Sequence, residues 1–346
     1  MEGRARMRGL LLYVILTLLT YAGTAQHRKT ERSCPEVFET HKGGGKQALR
    51  YASNFSLNKP DTLIKTLLIY VHGLHRNAMG YFEYAEDAVR SAGQKKMTLV
   101  IAPQYADAED LDDNRLGNEF LCWQKAEWKD GYASIIRYSR SREISMSSYE
   151  VLDSLITTVL KSGKFPNIRK VVIAGHSAGG QFVQRYSAIT PLPDLLPSCS
   201  FRFIVMDPSS YMYPDDKRPA ADGTTFIIPD TTGCPAYNRY PKGLTELNIY
   251  AEFIGADQIL HNMLQRDIVF LLGSNDTSMD DPDLDVSCVA NLQGRFRLER
   301  GLYFIAHISS FPGYGGKKNF DIVPGVGHSG EGMINSDEAK KWIFGR

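Results

Sequence analysis

The sequence has no excess of charge of either sign. Its 346 residues include 40 Lys and Arg and 39 Asp and Glu, so the formal net charge is +1 with histidine neutral. Proteins that bind nucleic acid or an anionic membrane electrostatically usually carry a clear positive excess. The composition therefore offers no electrostatic case for either partner, and we expect neither.

Long apolar runs are also absent after the first 25 residues, so we expect no membrane span in the mature chain. The one such run, 9–21, is shorter than a comfortable span, follows three arginines and precedes small residues that end at Ala25. This is the pattern of a secretory signal peptide. We predict a signal peptide over 1–25 and a mature chain that is secreted or lumenal; an uncleaved signal anchor is the alternative.

Cysteine is sparse, and its spacing does not indicate a metal site. No two of the five form a C-x-x-C pair, so we expect no zinc knuckle, and we expect no metal or other cofactor. An oxidising compartment permits disulfides, and an odd number leaves at least one cysteine outside an intramolecular pair. All five follow the predicted signal peptide: Cys34, Cys122, Cys199, Cys234 and Cys288.

One stretch, 170–186, carries the strongest local signal in the chain. It contains an apolar β-branched run, then Gly175-His176-Ser177-Ala178-Gly179-Gly180, then a helical pattern. A strand that turns sharply into a helix, with serine at the apex and glycine two positions away on each side, is the nucleophile elbow G-x-S-x-G. Glycine is needed where neighbouring backbone approaches closely, and the helix N-terminus favours negative charge developing beside the serine.

These residues resemble the α/β-hydrolase superfamily. The resemblance implies a mostly parallel central sheet with helices on both faces and lid-like insertions. The rest of the chain agrees, because apolar runs that fit strands buried on both faces alternate with helical patterns. We predict strands at 63–71, 97–102, 171–174, 201–206 and 266–272, and helices at 81–92, 144–162, 182–189 and 336–344.

We predict one domain, 48–346, preceded by a flexible polar segment, 26–47, that contains three consecutive glycines. Two long stretches without a sustained period, 104–132 and 209–247, are predicted insertions that form the substrate pocket. Their aromatic residues either line that pocket or pack the insertions against the body: Trp123, Trp128, Tyr211 and Tyr213. The run 301–308 fits either a strand or a buried helix.

The resemblance also implies a catalytic triad in the chain order serine, acid, histidine. Ser177 is the expected nucleophile. His328, in a glycine-flanked loop before the last helix, is the expected base, and His307, inside an apolar run, is the alternative. Asp276, just after a buried strand, is the expected acid, and Asp207, at the end of an earlier strand, is the alternative.

An oxyanion hole is the fourth part that the resemblance implies. Its two N–H groups are expected from Ala178, after the nucleophile, and from Leu74, in the loop after the first long strand. His72 and His75 have the spacing of a metal pair, but no third ligand lies nearby in sequence, so we do not expect a metal there. The acidic run 280–285 does not match the spacing of a calcium loop.

Two sequons for N-linked glycosylation occur, at Asn54 and Asn275. Asn54 is the candidate glycosylation site, because a glycan at Asn275 would argue against a buried acid at the next residue. Among the cysteines we favour a pair between Cys234 and Cys288, since both lie in segments expected to flank the top of the sheet.

The sequence therefore predicts a serine hydrolase that cleaves a carboxylic ester through an acyl-enzyme, acting on a small-molecule or polymer ester. A peptidase or amidase with the same triad is one alternative. A non-catalytic secreted binding protein with this fold is another. A dinucleotide-dependent oxidoreductase is not expected, because no G-x-G-x-x-G follows a strand.

Overall fold

A computed structural model describes residues 34–42, 45–136, 145–315 and 319–345. The predicted signal peptide lies outside these ranges. Within them, eight strands form one sheet in the order β1-β2-β4-β3-β5-β6-β9-β10, and two short strands pair separately. The strands are β1 (Glu36–Lys42), β2 (Gly45–Ser53), β3 (Thr66–Val71), β4 (Thr98–Gln104), β5 (Lys170–His176), β6 (Ser200–Met206), β7 (Arg218–Pro219), β8 (Phe226–Ile227), β9 (Ile268–Gly273) and β10 (Phe320–Val323).

The sheet is mostly parallel, as predicted. β1 and β2 form an antiparallel hairpin, β2 pairs antiparallel with β4, and every pair from β4 to β10 is parallel. Helices cover both faces, and a 3₁₀ turn lies at Glu127–Asp130. The helices are α1 (Ala78–Ser91), α2 (Ala108–Asp113), α3 (Ser148–Lys161), α4 (Ala178–Ile189), α5 (Leu192–Leu195), α6 (Ile249–Glu252), α7 (Ala256–Gln265), α8 (Cys288–Asn291), α9 (Arg297–Ser309), α10 (Gly330–Ile334) and α11 (Asp337–Phe344).

The two faces of the sheet each support a hydrophobic core. In β3, Leu67 and Ile69 belong to the cluster formed with α3, α4 and α9, whereas Leu68 and Tyr70 belong to the cluster formed with α1, α10 and α11. Successive side chains of a strand point to opposite faces, so a strand covered on both sides needs apolar residues at every position. This requirement explains why the central strands have continuous apolar runs.

The predicted flexible segment 26–47 is wrong over its second half. β1 lies inside it and pairs with β2 from Glu36 opposite Tyr51 to Lys42 opposite Gly45. A polar segment is typical of linkers, but an exposed strand at the edge of a sheet is also polar. In β1 the side chain of Phe38 is buried, whereas the other side chains are exposed or half-buried.

The structure also settles one ambiguous run and adds elements that the sequence analysis did not predict, among them β10 in the main sheet. The ambiguous run 301–308 is helical and belongs to α9. β10 was not predicted at all; it is a four-residue edge strand, parallel to β9, with only Val323 buried. A short, half-exposed strand lacks the continuous apolar run that identifies its neighbours.

The aromatic residues of the two insertions pack against the body of the domain. Trp123, Trp128, Tyr211 and Tyr213 are all fully buried. The ring of Trp128 stacks on Tyr105 with centroids 5.4 Å apart. A disulfide joins Cys234 of the second insertion to Cys288, which is the pair that the sequence favours. In the described ranges, no helix is both long and apolar enough to cross a membrane.

Candidate active site

Ser177 lies at the apex of the turn between β5 and α4. Its backbone has φ 59° and ψ −119°, a strained conformation for a residue with a side chain, and its N–H donates to Met206 O at 2.9 Å. The flanking glycines allow this turn. A Cβ on Gly175 would lie 2.2 Å from Gly179 O, and one on Gly179 would lie 2.2 Å from Val71 O. The tight packing of strand, turn and helix therefore requires glycine at both positions.

The structure brings Ser177, His328 and Asp276 together in one hydrogen-bonded chain. His328 Nε2 lies 2.9 Å from Ser177 Oγ, and His328 Nδ1 lies 2.7 Å from Asp276 Oδ2. In sequence, 151 residues separate the serine from the histidine. They meet because β5 and β9 run parallel and end at the same edge of the sheet, where the loop before α10 also passes.

Asp276 is a buried carboxylate with a buried cation beside it. Arg297, the first residue of α9, has no solvent exposure, and its Nη1 lies 3.5 Å from Asp276 Oδ1. The same guanidinium lies 3.0 Å from Asp281 Oδ2 and donates from Nε to Ser209 Oγ at 3.0 Å. A buried charge is tolerated when it is paired and hydrogen-bonded. Sequence reasoning missed Arg297, and no local motif marks it.

Asp207, the alternative acid, occupies a different position. Its carboxylate is fully buried, Oδ1 accepts a hydrogen bond from the Gly273 N–H at 2.8 Å, and Oδ2 has no partner within the described residues. Burial, together with the nearby charge of Asp276, raises the pKa of Asp207 well above its ordinary value. The carboxyl hydrogen-bonded to His328 is that of Asp276.

Comparison with solved structures gives the fold. Poly(aspartic acid) hydrolase-1 from Sphingomonas sp. KT-1 superposes with a TM-score of 0.56 at 21% identity, over 89% of this chain and 98% of that chain. LpqC, a poly(3-hydroxybutyrate) depolymerase from Bordetella parapertussis, also has a TM-score of 0.56 at 21% identity, over 87% of this chain and 85% of that chain. The chain has the α/β-hydrolase fold. No family model and no curated protein matches the sequence.

The resemblance predicts that the N–H groups of Leu74 and Ala178 in this chain hold an oxyanion. Both residues line one cavity with Ser177, and among the described residues we find no acceptor bonded to either N–H. The loop that carries Leu74 is held by His72, whose Nε2 accepts from the Tyr105 N–H at 3.0 Å. Burial lowers the pKa of His72 to about 4, which keeps the ring neutral as this acceptor.

The histidine of the elbow, His176, is also buried at this site. Its Nδ1 lies 3.0 Å from Tyr81 Oη, and its ring centroid lies 4.5 Å from that of His328. Burial and the neighbouring His328 hold the pKa of His176 well below its ordinary value. A neutral His176 therefore packs beside His328 without adding a second positive charge.

Among the described residues, one group has donor atoms close enough to suggest a metal site: His176, Asp207 and His328, within 4.8 Å of one another. Both ring nitrogens of His328 are already hydrogen-bonded, to Ser177 and to Asp276. A metal on His328 would break one of these bonds, so we assign no metal to the group. His72 and His75 do not form a pair, since His75 Nε2 instead lies 2.7 Å from Asp283 Oδ2.

The remaining histidine candidate, His307, and the sequon at Asn54 lie away from this site. His307 is buried in α9 with Nε2 2.8 Å from Asp215 Oδ1, away from Ser177 in the hydrogen-bond network. The side chain of Asn54, the candidate glycosylation site, is engaged within the fold, since its Nδ2 donates both to Glu86 Oε1 at 2.7 Å and to Thr98 O at 3.0 Å. A glycosylated nitrogen keeps one hydrogen and cannot make both bonds.

Two cavities meet at Ser177. The first has a volume of about 220 Å³ and is lined by residues that include Leu74, Lys129, Ala178 and Gln181. The second has a volume of about 280 Å³ and is lined by residues that include Tyr81, His176, His328 and Glu331. Leu74, Ser177 and Asp283 border both. A substrate can therefore extend in two directions from the serine.

Proposed function

We propose that this protein is a serine hydrolase that cleaves a carboxylic ester through an acyl-enzyme. The observation that carries the proposal is the hydrogen-bonded chain from Ser177 Oγ through His328 to Asp276, with distances of 2.9 and 2.7 Å. A serine hydroxyl is a weak nucleophile until an adjacent base accepts its proton. Here the base and its orienting carboxylate are both within hydrogen-bond distance.

In the proposed reaction, Ser177 Oγ attacks the ester carbonyl carbon while its proton moves to His328 Nε2. The N–H groups of Leu74 and Ala178 stabilise the oxyanion. The carbon–oxygen bond to the alcohol then breaks, and the alcohol leaves with the proton from His328. Water then attacks the acyl-enzyme while His328 takes a proton from it. His328 returns this proton to Ser177 Oγ as the bond to the acyl group breaks and the acid leaves.

Asp276 orients His328 in this cycle and stabilises its charged form. The Nδ1–H of the neutral ring donates to Asp276 Oδ2, which leaves Nε2 free to accept the serine proton. When Nε2 is protonated, the carboxylate 2.7 Å away offsets the new positive charge. The buried Arg297 guanidinium, 3.5 Å from Asp276 Oδ1, supplies an opposite charge beside this buried carboxylate.

The two structural neighbours are described as hydrolases of polymers, a poly(aspartic acid) and a poly(3-hydroxybutyrate). They support a hydrolytic reaction for this chain and are compatible with either a small or a polymeric ester. We also propose that the chain acts outside the cytosol, since its N-terminal sequence matches a signal peptide and the structure contains a disulfide.

Activity-based labelling tests the proposal. The protein is treated with a fluorophosphonate probe, and hydrolysis of ethyl butyrate is followed by titration of the released acid. We expect wild type to be labelled and active, and Ser177→Ala and His328→Ala to lose both properties. Ser162→Ala, at the end of α3, is the matched control and keeps both. Labelling of Ser177→Ala at the wild-type level would place the nucleophile elsewhere.

A further inference from the structure

The direction of the proton transfer assigns the two cavities to the two halves of an ester. In the proposed function, on which this inference rests, His328 Nε2 gives its proton to the departing alcohol, so the alcohol must lie beside His328. His328 lines the larger cavity and is absent from the lining of the smaller one. The larger cavity is therefore the leaving-group cavity, and the smaller one, beside Ala178, is the acyl cavity.

The acyl cavity suits a short acyl group. Its volume of about 220 Å³ lies below the range of about 300–1,000 Å³ that is typical of pockets for drug-sized ligands. The lining combines apolar side chains, such as Leu74 and Leu284, with polar ones, such as Gln181 and Ser209. A volume below that range favours a short acyl group over a long fatty one.

One wall of the acyl cavity carries unbalanced positive charge. Lys129 lines the cavity, and its Nζ lies 2.5 Å from Asp130 Oδ2. The other oxygen of Asp130 lies 3.4 Å from Nη1 of Arg185, whose side chain is fully buried. Two cations therefore share a single carboxylate. Lys129 is the one of the two that borders the cavity, with about a fifth of its side chain exposed.

The acidic residues around the cavity are engaged with other groups. Asp285 Oδ2 lies 2.5 Å from Lys242 Nζ, and Asp285 Oδ1 accepts from the Ser287 N–H at 3.0 Å. Asp283 Oδ2 lies 2.7 Å from His75 Nε2, and His75 borders the leaving-group cavity only. The pair of Asp285 and Lys242 is neutral, and Asp283, which borders both cavities, has His75 as its partner.

The titration of Lys242 agrees with this charge distribution. Burial lowers its pKa, the Asp285 carboxylate opposes the shift, and the positive charges of Arg185 and Lys129 add to it. The three cations are therefore within electrostatic reach of one another. Two carboxylates, Asp130 and Asp285, contact them, and a third, Asp283, also borders the cavity.

We propose that the acyl cavity selects an acyl group that ends in a carboxylate, with Lys129 as the residue that recognises it. The substrate class is then the half-ester of a short dicarboxylic acid. The free carboxylate takes no part in bond making or breaking; it binds at the Lys129 wall while the ester carbonyl lies at Ser177. A charge-assisted hydrogen bond in this partly desolvated position supplies the selectivity.

Hydrolysis of two esters of similar size tests this proposal separately from the proposed function. Monoethyl succinate carries the terminal carboxylate, and ethyl butyrate lacks it; both are assayed by titration of the released acid. We expect wild type to have a kcat/KM at least about tenfold higher for monoethyl succinate, as a hydrogen bond between charged groups predicts. Raising the ionic strength lowers this ratio.

Substitutions of Lys129 test whether this residue recognises the carboxylate. Lys129→Met is expected to abolish the preference, and Lys129→Glu to favour ethyl 4-aminobutyrate, whose acyl group is cationic, over monoethyl succinate. Lys59→Met, in an exposed turn, is the matched control and keeps the wild-type ratio. If the fluorophosphonate labels Ser177 and ethyl butyrate is hydrolysed, but the succinate half-ester is no better a substrate, this inference is wrong and the proposed function stands. If Ser177 is labelled but neither ester is hydrolysed, the ester specificity of the proposed function fails and this inference fails with it. If Ser177 is not labelled, the proposed function fails and this inference fails with it.

Discussion

Asp207 and Asp276 follow neighbouring parallel strands and make different contacts. Asp276 Oδ2 lies 2.7 Å from His328 Nδ1, whereas Asp207 Oδ1 accepts from the N–H of Gly273, the last residue of β9, at 2.8 Å. Asp276 also has Arg297 beside it, and the raised pKa of Asp207 favours a neutral carboxyl. Asp207 is therefore the neutral carboxyl, and Asp276 is the one in contact with Arg297 and His328.

This division of charge predicts unequal effects of the two Asp→Asn changes. Asp276→Asn should lower kcat for ethyl butyrate by about 10⁴-fold, because His328 loses its orienting carboxylate. Asp207→Asn should retain activity within about tenfold, since Asn keeps an acceptor for the Gly273 N–H and replaces a carboxyl that is already neutral. Steady-state kinetics of the two variants measure kcat. A large loss of kcat in Asp207→Asn alone would reverse the assignment of the acid.

Arg297 is expected to support both the site and the fold. Arg297→Met leaves the buried carboxylate of Asp276 without its cation, and removal of one partner of a buried ion pair costs about 3–5 kcal/mol. We expect a loss of that size in the free energy of unfolding, measured by urea denaturation, and a lower kcat.

The matched control for Arg297→Met is the substitution of an exposed arginine two residues earlier, Arg295→Met. Arg295 has 69% of its side chain exposed and pairs with Glu299 on the surface. Arg295→Met should change stability by no more than about 0.5 kcal/mol. Equal losses in the two variants would contradict a specific role for Arg297.

The two sequons are expected to behave differently in a eukaryotic secretory host. Asn275 is exposed, while the adjacent Asp276 is buried, so a glycan at Asn275 does not conflict with an acid at Asp276. Asn54 uses both amide hydrogens within the fold. We predict that Thr277→Ala reduces the intact mass by one glycan and that Ser56→Ala changes it only by the substitution. A glycan lost with Ser56→Ala instead would contradict the structural argument.

Asp153 is expected to make stability depend on pH. Its Oδ1 accepts from Tyr186 Oη at 2.6 Å and from Thr190 Oγ1 at 2.7 Å, and burial raises its pKa from 3.8 to about 6. Between these values the folded protein binds the proton more tightly than the unfolded chain does, so this contribution to stability is lost as pH rises through the interval.

Asp153→Asn removes this titration and keeps an acceptor for Tyr186 and Thr190, but its amide nitrogen replaces the oxygen that accepts from Tyr250 Oη. Relative to wild type, the variant should gain about 2 kcal/mol of stability between pH 4 and pH 8, because only wild type loses the contribution of the raised pKa over this interval. Urea denaturation at several pH values measures it, and a difference that does not vary with pH would contradict the prediction.

Local patterns predicted most of the fold. The central strands are buried on both faces, so their apolar runs mark them directly, and the elbow carries its own glycine signature. β1 and β10 were harder, because an antiparallel edge hairpin and a four-residue edge strand have few buried positions. The resemblance to the α/β-hydrolase superfamily, which the elbow carries, implied Ser177, His328 and Asp276 as site residues, and their catalytic roles stay predictions until the variants are assayed.

Other features of the site have no local signal. Arg297, His176 with Tyr81, and the Lys129 wall are defined by contacts between segments far apart in the chain. A single lysine or arginine in a sequence does not show whether its charge is paired, buried or directed into a cavity, because those properties depend on which segments pack beside it.

By itself, the sequence determined where a strand must turn into a helix around Ser177 and which residue types were available to serve it. Only the tertiary structure decided that Asp276 faces His328 while Asp207 bonds to Gly273, that Asn54 is engaged while Asn275 is exposed, and that Lys129 borders the acyl cavity. The physical reason is that backbone preference and apolar periodicity are local, whereas side-chain direction and charge balance are set where distant strand ends and loops meet.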